Sequence, residues 1–599
     1  MHLNNPATGE ISKGATMTIL SENLAHQIGG VATPADKMDQ SGTAPREGHS
    51  YVVGDKSVEL RHITIPQLLA ETVARHGPRD AVVLAKEGKT LSYYDLDREV
   101  DALASGLLAL GLVKGDRLGI WSPNRLEWVL TQFATARIGI ILVNINPAYR
   151  LAELDYALNK AGCKALIIAE KFKSSDYLAM VRALAPELDT CAKGRLISAR
   201  LPHLKIVIAM SDIPGAGVFA FTEIQRLGGP AQQLRLDGIT AGLNPDDPIN
   251  IQFTSGTTGA PKGATLTHFN IVNNARFVTG RINFTETDRL CIPVPLYHCF
   301  GMVMGALGCV SKGAAMVFPG EAFDAHETLS AVASARCTAI YGVPTMFVAM
   351  LEQAKTSHYD LSTLRTGIMA GALCPIEVMR GVIEVMNMKQ VTICYGMTET
   401  SPVSFQSFVD DPIEKRVTTV GRIHPHVEVK VIDENGAIVP VGTSGELCTR
   451  GYSVMYGYWD NTEKTAEAID PNGWMRTGDL AELDDQGYCS IVGRLKDMII
   501  RGGENIYPRE VEDFLFRHPR VMEVQVFGIP HAKLGEEVCA WIVPKPGKQL
   551  CDDSIREFCS GQIAHFKIPG RIRIVDELPM TVTGKPQKFI MRDWMIENS

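Results

Sequence analysis

At 599 residues the chain is too long for one hydrophobic core, so two or more domains are expected. A hydrophobic fraction of 45% with 21% charged residues is ordinary for a globular protein, and a net charge of −8 excludes the basic footprint of a nucleic-acid binder. No apolar run is long enough to span a membrane, no secretory pattern opens the chain, and 13 cysteines without C-x-x-C pairs fit a reducing, cytoplasmic setting.

Residues 1–50 are polar and rich in Gly, Ser, Thr and Pro, and read as a loosely ordered extension. Order begins at "TIPQLLAETVARHG", a helix with Thr64 as its cap, Pro66 in its first turn and Gly77 at its stop. In "LSYYDLDREVDALASGLLALG", Val100, Leu103, Leu107 and Leu108 recur at helical spacing up to Gly111. "DRLGIW", "IGIILVNINP", "ALIIA" (165–169) and "HLKIVIAM" (203–210) read as strands between such helices, the alternation of an α/β fold with parallel-rich sheets. From about 420 the rhythm changes. "VEVKVIDENGAIVPV" (427–441) reads as a strand, a turn and a return strand, and "GWMRTGDLAELDDQGYCSIVGR" repeats the pattern, a small antiparallel β unit. "GRLKDMIIRGGENIYP" (493–508) has the charges and glycines of a hinge. Beyond it come the helix "PREVEDFLF", strands "EVQVFGIP" and "EEVCAWIVP", a helix near 553–565 and the strand "RIRIV". The expected domains are an extension (1–50), a large α/β domain (51–495) and a small mobile α+β domain (496–599).

"TSGTTGAPKG" (254–263) places four hydroxyl side chains, three glycines and a lysine in ten residues, the composition of a loop that wraps phosphates. It is not a kinase-type P-loop: Pro261 stands where the second glycine belongs, and Gly263 where Ser or Thr is needed.

Five further stretches share the chain with this loop: "PLYHCFG" (295–301), "YGMTETSP" (395–402), "WMRTGDL" (474–480), "GRLKDMIIRGGENIYP" and "TVTGKPQKF" (581–589). In order and approximate spacing they resemble the acyl-adenylate-forming superfamily over roughly residues 50–595, which includes acyl-CoA synthetases, luciferases and peptide-synthetase adenylation domains. The resemblance implies a two-step reaction: a carboxylate attacks the α-phosphate of ATP to give acyl-AMP, and a thiol, usually that of CoA, displaces AMP. It implies that Thr254, Ser255, Thr257 and Thr258 offer hydroxyls to the phosphates while Gly256 and Gly259 let backbone N–H groups approach. Thr258 also joins the catalytic and Mg²⁺-binding sets, and Lys262 steadies the leaving end of ATP. Glu399 holds Mg²⁺; Tyr395 lies against adenine, with Gly371, Gly396, Met397 and Thr398 around the nucleotide. Asp479 accepts from the ribose hydroxyls, and Arg494 adds a cation.

By the same resemblance His298 is a gate and hydrogen-bond donor rather than a base, since a carboxylate nucleophile needs no deprotonation at neutral pH. Lys585 is the catalytic lysine that bridges the acyl carboxylate and the α-phosphate, although the "QKF" after it departs from the more frequent Arg-containing form. Lys496 is the hinge, and Arg501, Gly502, Gly503 and Glu504 form the loop that meets CoA. Met302, Tyr341, Gly342, Val343, Ala370 and Gly371 are expected to line the acyl pocket, in segments that carry no charged partner for an amino-acid substrate. The expected function is a medium- to long-chain fatty-acid–CoA ligase, an acid–thiol ligase using ATP, Mg²⁺ and CoA. Its partners are small molecules, without nucleic acid or an integral membrane segment, and a homodimer is compatible. A ligase that loads a carrier protein, an aryl or short-chain acid–CoA ligase, a luciferase-like oxygenase and an inactive nucleotide-binding homologue are the alternatives.

Overall fold

The computed structural model describes residues 44–598 except 255–260, 373, 503, 532 and 582–584. Local chemistry starts the helices where the sequence places them. Thr64 and Gln67 close a reciprocal capping box at the head of Ile65–His76: the Gln67 side chain accepts from the Thr64 N–H at 2.8 Å, and Thr64 accepts from the Gln67 N–H. Ser92 does the same with Asp95 for Tyr93–Ala109, whose Val100, Leu103 and Leu107 are fully buried. These faces cover two sheets.

The first is an eight-stranded sheet in which Ile206–Ala209, Ala165–Ile168, Arg117–Trp121, Ile141–Asn144 and Pro248–Thr254 run parallel, with Lys262–Thr267 and Gly457–Tyr458 added antiparallel at one edge. The second has nine strands, and its parallel core runs Gln390–Gly396, Thr366–Ala370, Ala339–Gly342, Arg289–Cys291, Ala315–Phe318 and Asp80–Leu84. Buried on both faces, most of these strands are near-continuous apolar runs; Pro248–Thr254 differs, with buried Asn250 and Gln252 beside Ile249 and Ile251.

A five-stranded antiparallel sheet follows, ordered Tyr51–Val53, Val427–Ile432, Gly445–Gly451, Met475–Leu483 and Cys489–Arg494. The return strand expected within 427–441 is corrected here: after the turn only single bridges form at Ile438 and Pro440, and the ladder to Val427–Ile432 is made by Gly445–Gly451 and by Tyr51–Val53. The residues just before Tyr51 are drawn into the same sheet, with His49 bridging Pro440 and Ser50 fully buried.

The small C-terminal domain has its own sheet, in which Val521–His531 and Gly535–Pro544 form a long hairpin flanked by Ile499–Arg501 with Glu504–Ile506 and by Arg571–Ile574. Alternation splits its apolar residues between two faces. Val524, Val526, Ala540 and Ile542 pack with Val511 and Leu515 of Pro508–Leu515 and Ile555 of Asp552–Cys559. Phe527, Ile529, Trp541 and Val543 pack with Met591 and Met595 of Lys588–Glu597. The helix expected near 553–565 ends at Cys559, and Gly561 follows with a φ of +70° that a helix cannot continue. Among the described residues no helix is long and apolar enough to cross a membrane.

Candidate active site

Thr254, Gly342, Ala370 and Gly396 are the carboxyl ends of four parallel strands from the two large sheets, the edge at which open α/β sheets bind ligands. The turn after Gln390–Gly396 depends on Gly396. A Cβ there would lie 1.8 Å from the Pro402 carbonyl oxygen, so only glycine lets the chain fold back through the short turn Thr398–Thr400. That turn delivers Glu399, whose side chain is buried. Thr254 Oγ1 and the Tyr458 hydroxyl both donate to its Oε1, at 3.0 and 3.1 Å. Lys262 is not in a loop: it heads Lys262–Thr267, opposite Thr254, with its ammonium 4.8 Å above the Tyr458 ring. Ser255, Gly256, Thr257, Thr258 and Gly259 lie outside the described residues.

A second cluster forms where Tyr395 meets the small antiparallel sheet. Its hydroxyl donates to Asp479 Oδ2 at 2.5 Å, and Arg494 approaches Oδ1 at 3.3 Å from the facing strand, where it is the register partner of Asp479. Burial, then the Asp479 charge, pushes the Tyr395 phenol up, so it stays a donor. Asp479 is 8% exposed.

Lys585 is joined to Thr581 by two bonds, one accepted by its carbonyl at 2.8 Å and one donated by its N–H to Oγ1 at 3.0 Å. Its side chain reaches a cavity also lined by His298, Gly371, Tyr395 and Gly396. Enclosure lowers the pKa of its ammonium, as does Arg494, against the opposing pull of Asp479 and Glu399. His298 is held down to about 3 by burial and then by the Lys585 charge. Its Nδ1 accepts the Phe300 N–H at 3.2 Å, which leaves Nε2–H as the donor of a neutral ring. Cys299 beside it is a packing residue: its thiol is pushed up by burial and donates to Gln252 Oε1 at 3.2 Å.

Val343, Ala370 and Gly371 line the cavity, together with Val294, Phe300, Met304 and Met346. Tyr341, Gly342 and Met302, expected in the same pocket, are not among its lining residues. Tyr341 stacks behind Phe300 at 5.6 Å between ring centroids. The Met302 sulfur faces the Asn144 and Gln252 amides at 3.4 and 3.6 Å, while Met304, two residues on in the π-helix Phe300–Leu307, lines the cavity.

The remaining expected residues are spread. Lys496 lies in the short turn Leu495–Asp497 directly after Arg494. Gly502 has φ +62° at the tip between Ile499–Arg501 and Glu504–Ile506, with Glu504 exposed and Gly503 outside the described residues. Arg501 is only 15% exposed; its guanidinium donates to the Phe566 carbonyl at 2.9 Å and pairs with Glu537 at 3.2 Å. It braces the turn rather than offering a free cation. Met397 and Thr398 precede Glu399, Thr398 buried. Tyr458 is the residue that motif reading misses; its strand is two residues long, and only its pairing places it beside Glu399.

Residues 69–459 match the family model described as AMP-binding enzyme, and residues 510–585 match the model of the AMP-binding enzyme C-terminal domain. The chain is 47% identical over 559 residues to the mitochondrial medium-chain acyl-CoA ligase ACSF2 of Danio rerio, covering 93% of this chain and 92% of that protein. It is 48% identical over 541 residues to YngI of Bacillus subtilis (strain 168), provisionally named an acyl-CoA synthetase, covering 90% and 98%. The crystal structure of the anthranilate CoA ligase AuaEII with anthranoyl-AMP superposes with a TM-score of 0.77 at 26% identity, covering 90% of this chain and 98% of that one.

Proposed function

We infer that this chain, which belongs to the AMP-binding enzyme family, is a fatty-acid–CoA ligase for medium- to long-chain acids. The observation that carries the reading is the single apolar cavity in which the Lys585 ammonium and the neutral His298 ring meet, beside the Glu399 and Asp479 carboxylates. An apolar wall of Val294, Phe300, Met304, Val343 and Met346 suits an aliphatic tail. It offers no counter-charge for an amino-acid ammonium.

In the first half-reaction a carboxylate oxygen of the fatty acid attacks the α-phosphorus of ATP as the bond to pyrophosphate breaks. Two anions must be brought together, and fixed cations and donors in a water-poor cavity lower that barrier. Lys585 binds both the acyl carboxylate and the α-phosphate, and its depressed pKa recovers when these anions arrive. His298 donates Nε2–H to the acyl carboxylate and takes no proton. Asp479 accepts from the ribose hydroxyls, Tyr395 covers the adenine face while its hydroxyl orients Asp479, and Lys262 neutralises the leaving pyrophosphate. Glu399 fits a divalent cation: it is buried, and both of its described hydroxyl donors use Oε1. Mg²⁺ held there, with Thr258 of the loop, would screen the charge of the polyphosphate.

In the second half-reaction the CoA sulfur attacks the acyl carbonyl carbon and the bond to AMP breaks. Lys585 and an incoming thiol compete for the same space, so the small domain (496–599) turns about Lys496 relative to residues 51–495. This brings the 501–504 turn, braced by Arg501, to the pantetheine arm. We place the enzyme in the cytoplasm, where its unpaired cysteines stay reduced. A panel of carboxylic acids assayed with ATP and CoA for AMP release tests the reading. Maximal AMP and acyl-CoA formation with aliphatic acids of medium to long chain is expected. AMP formation only with aryl or very short acids, or AMP without acyl-CoA, contradicts it.

A further inference from the structure

Glu399 is fixed by three residues from two separate stretches of the chain, Thr254 and the segment 455–458. Thr254 Oγ1 and the Tyr458 hydroxyl both donate to Oε1, and the Met455 N–H donates to the Glu399 carbonyl at 2.9 Å. Tyr458 is itself held in several ways. The strand Gly457–Tyr458 pairs with Lys262–Thr267, and the Trp459 N–H donates to the Gly263 carbonyl at 2.7 Å. The Tyr458 N–H donates to Thr465 Oγ1 at 2.9 Å. Over the face of its ring lies the Lys262 ammonium. One side chain therefore touches both the carboxylate and the lysine of the phosphate-binding edge.

We propose that Tyr458 is a positioning residue for the metal–nucleotide complex. Its hydroxyl, with that of Thr254, occupies Glu399 Oε1 and presents Oε2 to the cation, while its ring places the Lys262 ammonium at the same polyphosphate. This rests on the reading of Glu399 as the cation ligand. A buried carboxylate with one free torsion could offer either oxygen. Two donors on the same oxygen remove that freedom, as partners behind metal ligands do elsewhere. The ring holds the lysine by its electrostatic face and not by a hydrogen bond. The two tasks are therefore separable by substitution.

Tyr458→Phe keeps the ring and removes the donor, and Tyr458→Leu removes both. Two quantities are measured on the full-length enzyme: the half-saturating Mg²⁺ for pyrophosphate release, and calorimetric binding of a non-hydrolysable ATP analogue with Mg²⁺ or with EDTA. Tyr458→Phe should raise the half-saturating Mg²⁺ by about tenfold and weaken analogue binding in Mg²⁺ while leaving it unchanged in EDTA, with KM for the acid and the melting temperature unmoved. Tyr458→Leu should weaken binding in EDTA as well, matching Lys262→Ala. If Glu399→Gln raises the Mg²⁺ requirement and Tyr458→Phe does not, the positioning role is wrong. If Glu399→Gln itself leaves the Mg²⁺ requirement unchanged, the cation assignment fails and the proposal falls with it.

Discussion

His298 shows at the scale of one residue how packing selects a protonation state. Its ring is enclosed beside the Lys585 ammonium, and its pKa is held to about 3, against roughly 6.5 for a histidine in an unfolded chain. Between those values the unfolded chain binds the extra proton, so this site adds stability that is complete above pH 6.5 and is lost as pH falls toward 3. At pH 5 the loss is on the order of 1–2 kcal/mol. Urea unfolding at pH 7.5 and pH 5 should show a smaller acid-induced drop for His298→Gln than for the parent chain; equal drops contradict a neutral, enclosed ring. A functional corollary follows, since a donor that never charges should impose no limb near pH 6.5 on the adenylation rate.

At the scale of the element, the turn after Gln390–Gly396 is the most exacting piece of backbone in the site. Gly396→Ala places a methyl group against the Pro402 carbonyl and must displace the Thr398–Thr400 turn. Because this turn carries Glu399, adenylation should fall by at least about a hundredfold, while circular dichroism retains the α/β signature. Wild-type activity in Gly396→Ala would show that the turn tolerates the shift. Helix starts at Thr64 and Ser92 are legible in the sequence because a capping box is complete within four residues. The site motifs are legible for a related reason, since Tyr395, Glu399, Asp479 and Lys585 sit in compact runs of unusual composition. Tyr458, and which residue of the 302–310 stretch faces the cavity, are not legible. One depends on a strand pairing between residues almost two hundred positions apart. The other depends on which face of a helix meets the cavity, and apolar residues on both faces give no alternation to read. The false return strand after 432 has the same origin, because local alternation cannot say which distant strand wins the pairing.

At the scale of the whole molecule, the carboxyl ends of strands from two large sheets and one lysine of the small domain meet at one place. The larger body carries the Glu399 and Asp479 carboxylates, and the small one carries Lys585. In the proposed reaction this division gives a reason for two domains: bridging two anions and admitting a thiol require different occupants of the same space. Lys262 belongs to the larger body and, in the proposed reaction, meets only the outgoing phosphates, so Lys262→Ala should slow adenylation less than loss of Lys585. The direct measurement separates the half-reactions in Lys585→Ala, following pyrophosphate release from ATP and fatty acid on one side and acyl-CoA formation from supplied acyl-AMP and CoA on the other. Adenylation should fall by at least about a hundredfold to a thousandfold, while thioester formation stays within a few-fold of the parent enzyme. Equal loss of both half-reactions would contradict the assignment of Lys585 to the first step alone.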